Sequence, residues 1–454
     1  MVLKSTPSIE VRPYQEKAIE EIDHALMKHR RVLLVSPTGS GKTIIAGRLA
    51  ELIRRASKRC IFLVHKRELF FQAINTLTRF GLGDELGTVS ADNTQGIWLP
   101  FIVASIPTLV RRPGLRIDAD FVIVDEAHHA AARTWSETLD RRWPHAKIIG
   151  LTATPRRTDK QAMGSNFDFI VQTPQIGEMI NEGFLSDFDI LKPPYSLRVG
   201  GVKQGADDFD KSSLTDKLSS TKGKTIVEVF ESWAKHARSM KTIVFAVDVA
   251  HSKKLAAKFT EAGVRCAHID ADSNKDLRDK TLNLFRDGRI QVITNVNLIS
   301  EGVDVPDCQC VVMARPTLSL IDYFQQAGRM MRPKAGGAKG LLLDLAGNFY
   351  IHGFTPKDVV EWSLDGEANP GKDRAEVKPI SYHTCEVCIR PYNSTKLICP
   401  YCGHKRTKAG QRVDEIEASL IRHKGGASES FKDLVDDIYR GRVSMQSIIN
   451  DIHR

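Results

Sequence analysis

The residues most able to do chemistry fall into three groups. Ser36–Thr43 reads Ser-Pro-Thr-Gly-Ser-Gly-Lys-Thr and follows the apolar run Val32–Val35. Glycines at 39 and 41 let a loop wind tightly, so that backbone N–H groups converge on an anion, and a helix expected over Ile44–Ala56 adds its dipole. Ser36, Pro37, Thr38, Gly39, Ser40 and Gly41 would wrap the phosphates of a nucleotide. Lys42 would reach the β- and γ-phosphates, and the Thr43 hydroxyl would ligate Mg2+. Ser36 stands where such loops usually carry their first glycine. The second group is Asp125 and Glu126, at the tip of the apolar run Phe121–Val124. Asp125 is placed to hold Mg2+ through water, and Glu126 to orient and deprotonate an attacking water. The third group is Cys385, Cys388, Cys399 and Cys402, two C-x-x-C knuckles separated by 10 residues. Four thiolates at this spacing suit a tetrahedral Zn2+ site. With no open coordination position, it would be structural. Lys396, Lys405, Arg406 and Lys408 surround it, a basic face that would either grip DNA or dock a protein.

These groups need elements to hold them. Short apolar runs at Val32–Val35, Ile61–Val64, Phe101–Ala104, Phe121–Val124 and Ile148–Leu151 alternate with segments of helical period. A second set follows at Thr242–Val247, Ile290–Ile293, Val311–Met313 and Leu341–Leu345. Fully apolar strands alternating with helices indicate parallel sheets covered on both faces. The fold expected is therefore α/β, with two tandem parallel-sheet lobes at 1–190 and 191–355. A polar linker at 356–380, a small cysteine module at 381–408 and a helical tail at 409–454 complete the chain, the tail reading as helical from the spacing of Ile416, Leu420, Ile421, Leu434, Ile438 and Ile448. The stretch 187–224, rich in Gly, Ser, Lys and Asp, reads as a connection with a surface excursion.

The chain has 454 residues, enough for several buried cores. Apolar residues are 42% and charged residues 26%, which excludes a mostly disordered chain. Lys and Arg total 65 against 55 Asp and Glu, a net charge of +10 that fits a polyanion partner. No apolar run reaches the roughly 18 residues of a membrane span, and the first residues lack the apolar stretch of a secretion signal. Cys60, Cys266, Cys308 and Cys310 are scattered among apolar residues, as reduced core thiols would be. A cytoplasmic location is expected, with no membrane partner.

The order of motifs resembles superfamily 2 helicases and translocases over residues 8–350. Asp125–His128 (Asp-Glu-Ala-His) with Ser36–Thr43 carries the likeness. Arg12-Pro-Tyr-Gln15, Leu151-Thr-Ala-Thr-Pro155, Ser300-Glu-Gly-Val-Asp304 and Gln325-Gln-Ala-Gly-Arg-Met-Met-Arg332 match further motifs in order. With Arg315-Pro-Thr317 and Leu341–Asn348, the pieces look like the RadD branch of bacterial and phage DNA-repair ATPases. The resemblance implies two RecA-like lobes hydrolysing ATP at their seam. Gln15 would read the adenine edge, and Gly302 and Asp304 would sense the nucleotide. Gln325, Arg329 and Arg332 would face the γ-phosphate from one side of a helix. His128, Thr152 and Thr154 would couple the lobes, while His65, Lys66, Ser105, Thr108 and Thr294 would touch the nucleic-acid backbone. DNA is the track that the branch favours, and the residues leave RNA open. Strand separation, duplex translocation and a nucleotide-gated binding switch are the activities to separate.

Overall fold

The structure is a computed structural model. It describes residues 9–129, 133–155, 163–192, 203, 208–219, 224–296, 308–360 and 362–365, and the backbone of three short strands, Tyr382–Thr384, Pro391–Asn393 and Ile421–His423. Cys385, Cys388, Cys399 and Cys402, as well as Gly302 and Asp304, lie outside the described residues.

Eight strands form the first sheet: β1 (Arg31–Val35), β2 (Cys60–Val64), β3 (Leu86–Val89), β4 (Thr94–Gln95), β5 (Phe101–Ser105), β6 (Phe121–Val124), β7 (Lys147–Thr152) and β8 (Phe169–Gln172). Their order is β4-β3-β5-β2-β6-β7-β1-β8, and every pairing but β3 with β4 is parallel. Apolar side chains leave both faces of these strands. Val32, Leu34, Phe62 and Ile123 enter one core, while Leu33, Val35, Ile61 and Val124 enter the other. Such two-sided burial, about 1.5–3 kcal/mol for each Val, Leu or Ile, accounts for the uninterrupted apolar runs.

The second sheet holds β9 (Phe188–Lys192), β10 (Thr242–Phe245), β11 (Cys266–Ile269), β12 (Val292–Asn295), β13 (Cys310–Met313) and β14 (Gly340–Leu343). Their order is β11-β12-β10-β13-β14-β9. All five pairings are parallel. Beyond the motor, β15 (Tyr382–Thr384) pairs antiparallel with β16 (Pro391–Asn393), and β17 (Ile421–His423) pairs antiparallel with β9.

The structure differs from the sequence reading at several places in the fold. The lobe boundary at 190 falls inside β9, which pairs with β14 through Phe188↔Gly340 to Leu191↔Leu343 and so belongs to the second sheet. The start of the 356–380 segment is packed, not free. Val360 is 1% exposed, the Gln175 amide satisfies both its N–H and its C=O at 2.8 Å, and Trp362 touches the cores of both sheets. Ile421, expected in a helix, lies in a strand, because the outer edge of β9 offers a row of backbone groups that an extended segment can pair.

Candidate ATP site between two lobes

In open parallel sheets, ligands gather beyond the carboxyl ends of strands, where the chain order reverses. Strand β1, paired between β7 and the edge strand β8, delivers its loop there. Gly39 and Gly41 sit at φ +87° and +83°, in the left-handed region that glycine tolerates. A side chain at 41 would also place its Cβ 2.7 Å from Gln15 Nε2. The helix Lys42–Arg55 begins immediately after, so its first N–H groups face the loop. Lys42 Nζ donates to Ser36 O at 3.3 Å. Ser36 explains its own presence. It is fully buried, its Oγ lies 2.6 Å from Ser40 Oγ, and Thr173 Oγ1 donates to it at 2.9 Å. Its N–H donates to Thr152 O, which ties the loop to β7. Pro37, Thr38 and Thr43 are partly exposed and Gly39 is exposed along the same loop.

Gln15 is occupied by the chain itself. Its Oε1 accepts from Arg12 N and its Nε2 donates to Ser40 O, both at 2.9 Å. Tyr14 Oη also donates to Ser40 O, at 2.5 Å. The Arg12–Gln15 segment therefore braces the phosphate loop, leaving one amide N–H and one lone pair of Gln15 for a base. Tyr14 is a bracing residue that the sequence reading passed over, although it lies inside the quoted motif.

At the tip of β6, Asp125 is 8% exposed and Glu126 takes a left-handed φ of +48°, a costly backbone for a non-glycine residue. Strain of this kind is retained where the surroundings over-determine it, most often at functional sites. Burial, reinforced by the neighbouring Glu126 charge and opposed by Lys42, raises the Asp125 carboxyl above the ordinary range. His128 Nδ1 lies 3.2 Å from Thr152 Oγ1 and 3.4 Å from Glu126 Oε2. Thr152 Oγ1 in turn donates to Thr154 O at 2.7 Å. So Glu126, His128, Thr152 and Thr154 form one connected group.

The second lobe reaches this site through the helix Leu320–Gly328. The backbone of Gly328 packs directly on the phosphate loop, and a Cβ there would sit 2.5 Å from Thr38 Cγ2. Arg329 follows in helical conformation and is 9% exposed. The expected helical face does not extend to Arg332. The helix ends at Gly328, and the turn tightens through i to i+3 bonds at Arg329, Met330 and Met331. Pro333 disfavours helix at the residue before it, and the buried Met331 fixes the exit path. Arg332 is partly exposed just past this turn, its carbonyl accepting from Ser186 Oγ at 3.0 Å.

Among the described residues, Thr38 Oγ1, Gln325 Oε1 and both amide atoms of Gln326 are buried with no hydrogen-bond partner. Buried polar atoms cost about 1–3 kcal/mol when unmet, so a polar ligand is the natural partner for such a set. The positive-φ glycines, the lysine and a carboxylate pair, Asp125 buried and Glu126 partly so, fit a nucleoside triphosphate with Mg2+, Thr43 and Asp125 being the residues that would hold the ion.

The track residues are spread more widely. His65 ends the β2 segment with its ring 4.3 Å from that of His129, and Lys66 precedes the helix Arg67–Leu77. Ser105 closes β5 and precedes the helix Ile106–Arg111, in which Thr108 is buried. Thr294 is fully buried on β12, its hydroxyl donating to Ser252 O at 3.0 Å. The four core cysteines carry no disulfide, and burial pushes the thiols of Cys60, Cys266 and Cys308 up to about 12. No helix of the described residues is long and apolar enough to cross a membrane.

Two parallel-sheet lobes, with a phosphate loop on one and an arginine-bearing helix seated against it from the other, define a nucleotide-driven α/β machine. Comparison with known proteins places it more narrowly. Residues 8–157 match the family model of the type III restriction enzyme res subunit, and residues 221–334 match the helicase conserved C-terminal domain. The chain is 30% identical over 376 residues to a 51.5 kDa protein of a Lactococcus phage, covering 82% of this chain and 77% of that one. It is also 30% identical over 347 residues to the putative ATP-dependent helicase IRC3 of Saccharomyces cerevisiae, covering 71% of this chain and 49% of that protein. A fragment of a putative HsdR subunit of a type I restriction enzyme from Vibrio vulnificus shares the fold, with a TM-score of 0.60 at 24% identity, covering 80% of this chain and 68% of that one. The chain belongs to the superfamily 2 helicases, in a bacterial or phage branch, and is a nucleic-acid-dependent ATPase of that class.

Proposed function

We propose that the chain is an ATP-driven motor on DNA that hydrolyses ATP at the seam between its two lobes. One observation carries this reading: the backbone of Gly328, the residue before Arg329, is seated on Thr38 of the loop that bears Lys42. Lys42 and Arg329 steady the γ-phosphate from opposite walls as negative charge builds there. Glu126 orients the attacking water and takes its proton. Thr43 and Asp125 would hold Mg2+, which would supply charge neutralisation at the phosphates. Gln325, and Arg332 from beyond the end of the helix, would complete the second wall, while Gly302 and Asp304 keep the nucleotide-sensing role that the motif resemblance implies. Because one site is built from two bodies, binding draws the lobes together and phosphate release lets them part. Glu126 touches His128, and His128 touches Thr152, so the state of the carboxylate end is passed along β7.

His65, Lys66, Ser105, Thr108 and Thr294 belong to the loops and strand ends that hold the DNA backbone, with Thr108 and Thr294 acting through the local backbone that they brace. Contacts of this type position without reading sequence. The match to a restriction-enzyme motor family and the excess of basic residues support DNA as the track. The Arg12–Gln15, Arg315–Thr317 and Gln325–Arg332 pieces support a RadD-like role in repair, recombination or replication. ATPase rates measured side by side with single-stranded, duplex and forked DNA and with RNA test the assignment. DNA should stimulate most, and the preferred form separates unwinding from duplex translocation. Equal or greater stimulation by RNA would overturn it, and nucleotide-dependent DNA binding without turnover would make the chain a switch.

The C-terminal cysteines form a structural Zn2+ site in the same reading. In sequence, Cys385 and Cys388 come between β15 and β16, two three-residue strands too short to be stable as an isolated hairpin, which supports a metal there. Metal analysis of the purified chain should find one zinc per molecule, and Cys399→Ser should lose it while the ATPase lobes stay folded. A parent protein free of zinc would remove the site.

A further inference from the structure

We propose that Asp208 is a positioning residue for the hydrolytic step, locking the loop from which the Leu320–Gly328 helix starts and so setting where Arg329 meets the nucleotide. The inference rests on the reading of Arg329 given above. Asp208 belongs to the stretch 187–224, which its polar sequence makes look like a connection with a surface excursion. In the structure it follows β9 within the second lobe, and its carboxylate reaches the loop after β13. One oxygen accepts from Leu318 N at 2.6 Å, while the other accepts from Thr317 Oγ1 at 3.0 Å and from the Arg315 guanidinium. Arg315 is 4% exposed and Thr317 is fully buried, and Phe209 N donates to the first oxygen at 2.8 Å, so this carboxylate serves four donors, three of them from the 315–318 loop.

The same loop is held from the far side. Asn348 Oδ1 accepts from Thr317 N at 2.8 Å, and Asn348 Nδ2 donates to Arg315 O at 3.1 Å. The chain then passes straight into the helix. Thr317 Oγ1 accepts from Ser319 N at 3.0 Å, and Ser319 Oγ caps the helix by accepting from Asp322 N at 3.1 Å. A helix of this length is a stiff rod, so an error in its starting point is carried to its other end, where Gly328 touches Thr38 and Arg329 begins. Asp208 is itself anchored, because Phe209 and Leu214 pack with Val247, Leu318 and Ile351.

Only a carboxylate accepts from a backbone N–H, a hydroxyl and a guanidinium at once. Asparagine keeps one acceptor and turns an N–H group toward other donors, so it restores the loop in part. The test compares Asp208→Ala, Asp208→Asn, Arg329→Ala and the Asp208→Ala/Arg329→Ala double variant in the full chain. Steady-state DNA-stimulated ATPase, binding of fluorescent ADP and melting temperature are measured for each. Asp208→Ala should lower kcat about 10- to 100-fold, as an ångström-scale misplacement does, with ADP affinity held within about 3-fold. Asp208→Asn should fall between it and the parent. In the Arg329→Ala background, Asp208→Ala should cost nothing further, because both changes act on one interaction. A parental kcat in Asp208→Ala, a parallel loss of ADP binding, or full additivity in the double variant would each overturn the proposal. If Asp208→Ala fails to fold, the kcat and ADP affinity of Asp208→Asn decide by the same comparison. If Arg329→Ala itself turns over at the parental rate, the assignment of Arg329 fails and the Asp208 proposal falls with it, an outcome distinct from a silent Asp208 beside a dead Arg329→Ala.

Discussion

Glu126→Gln should bind ATP as the parent does and turn it over about 10²- to 10⁴-fold more slowly, the usual contribution of a placed general base. The substitution keeps the shape of the side chain and removes its ability to take a proton. The backbone argues in the same direction. Glu126 is held at φ +48° and its N–H donates to Asp125 Oδ1 at 3.0 Å, so the two carboxyl groups are set in a fixed relation at the strand tip. Lys42→Ala should lose turnover to a similar degree and weaken ATP binding as well, since Lys42 meets both the ground state and the transition state. Phosphate release together with fluorescent-nucleotide binding checks both variants. Turnover within a few-fold of the parent in either would remove the role assigned to that residue.

Arg329→Ala should have the largest effect of any single change in the second lobe. An arginine delivered to the γ-phosphate is worth about 10³–10⁵ in kcat in comparable phosphoryl-transfer sites. Its charge matters in the transition state more than in the bound state, so ATP affinity should change little. Arg329 sits one residue past the helix that packs on Thr38, and at 9% exposure it is shielded from solvent. Loss of binding and hydrolysis in equal measure, with a lowered melting temperature, would make it a folding residue.

Much of this was legible in the sequence because the relevant residues lie next to one another in the chain. The phosphate loop, the Asp125–Glu126 tip and the apolar strands that carry them are local patterns, and the parallel sheets follow from uninterrupted apolar runs. What escaped the sequence depends on tertiary contact. β9 was hidden because Asp189 and Lys192 break its apolar run, yet the Lys192 amine is buried over the Phe349 ring at 3.3 Å. β11 was hidden because an edge strand is half-covered, and in Cys266–Ile269 the small Ala267 and the polar His268 leave no run of large apolar side chains. Val360 and Trp362 read as linker because their partners, Gln175 and Phe324, come from distant parts of the chain. The helix that stops short of Arg332 shows the limit of counting by periodicity, since Pro333 sets the end and no spacing rule does. Ser36 reads as a departure from the usual loop, and only the fold supplies Ser40 and Thr173 as its partners.

The most direct test is a single-turnover experiment on Arg329→Ala, with ATP and Mg2+ bound before DNA is added. Hydrolysis at a shared seam requires that the variant hold its ATP with near-parental affinity and cleave it at least about 10³-fold more slowly. Cleavage of the bound ATP at the parental rate would show that the first lobe completes the chemistry alone, and the two-walled site would be contradicted.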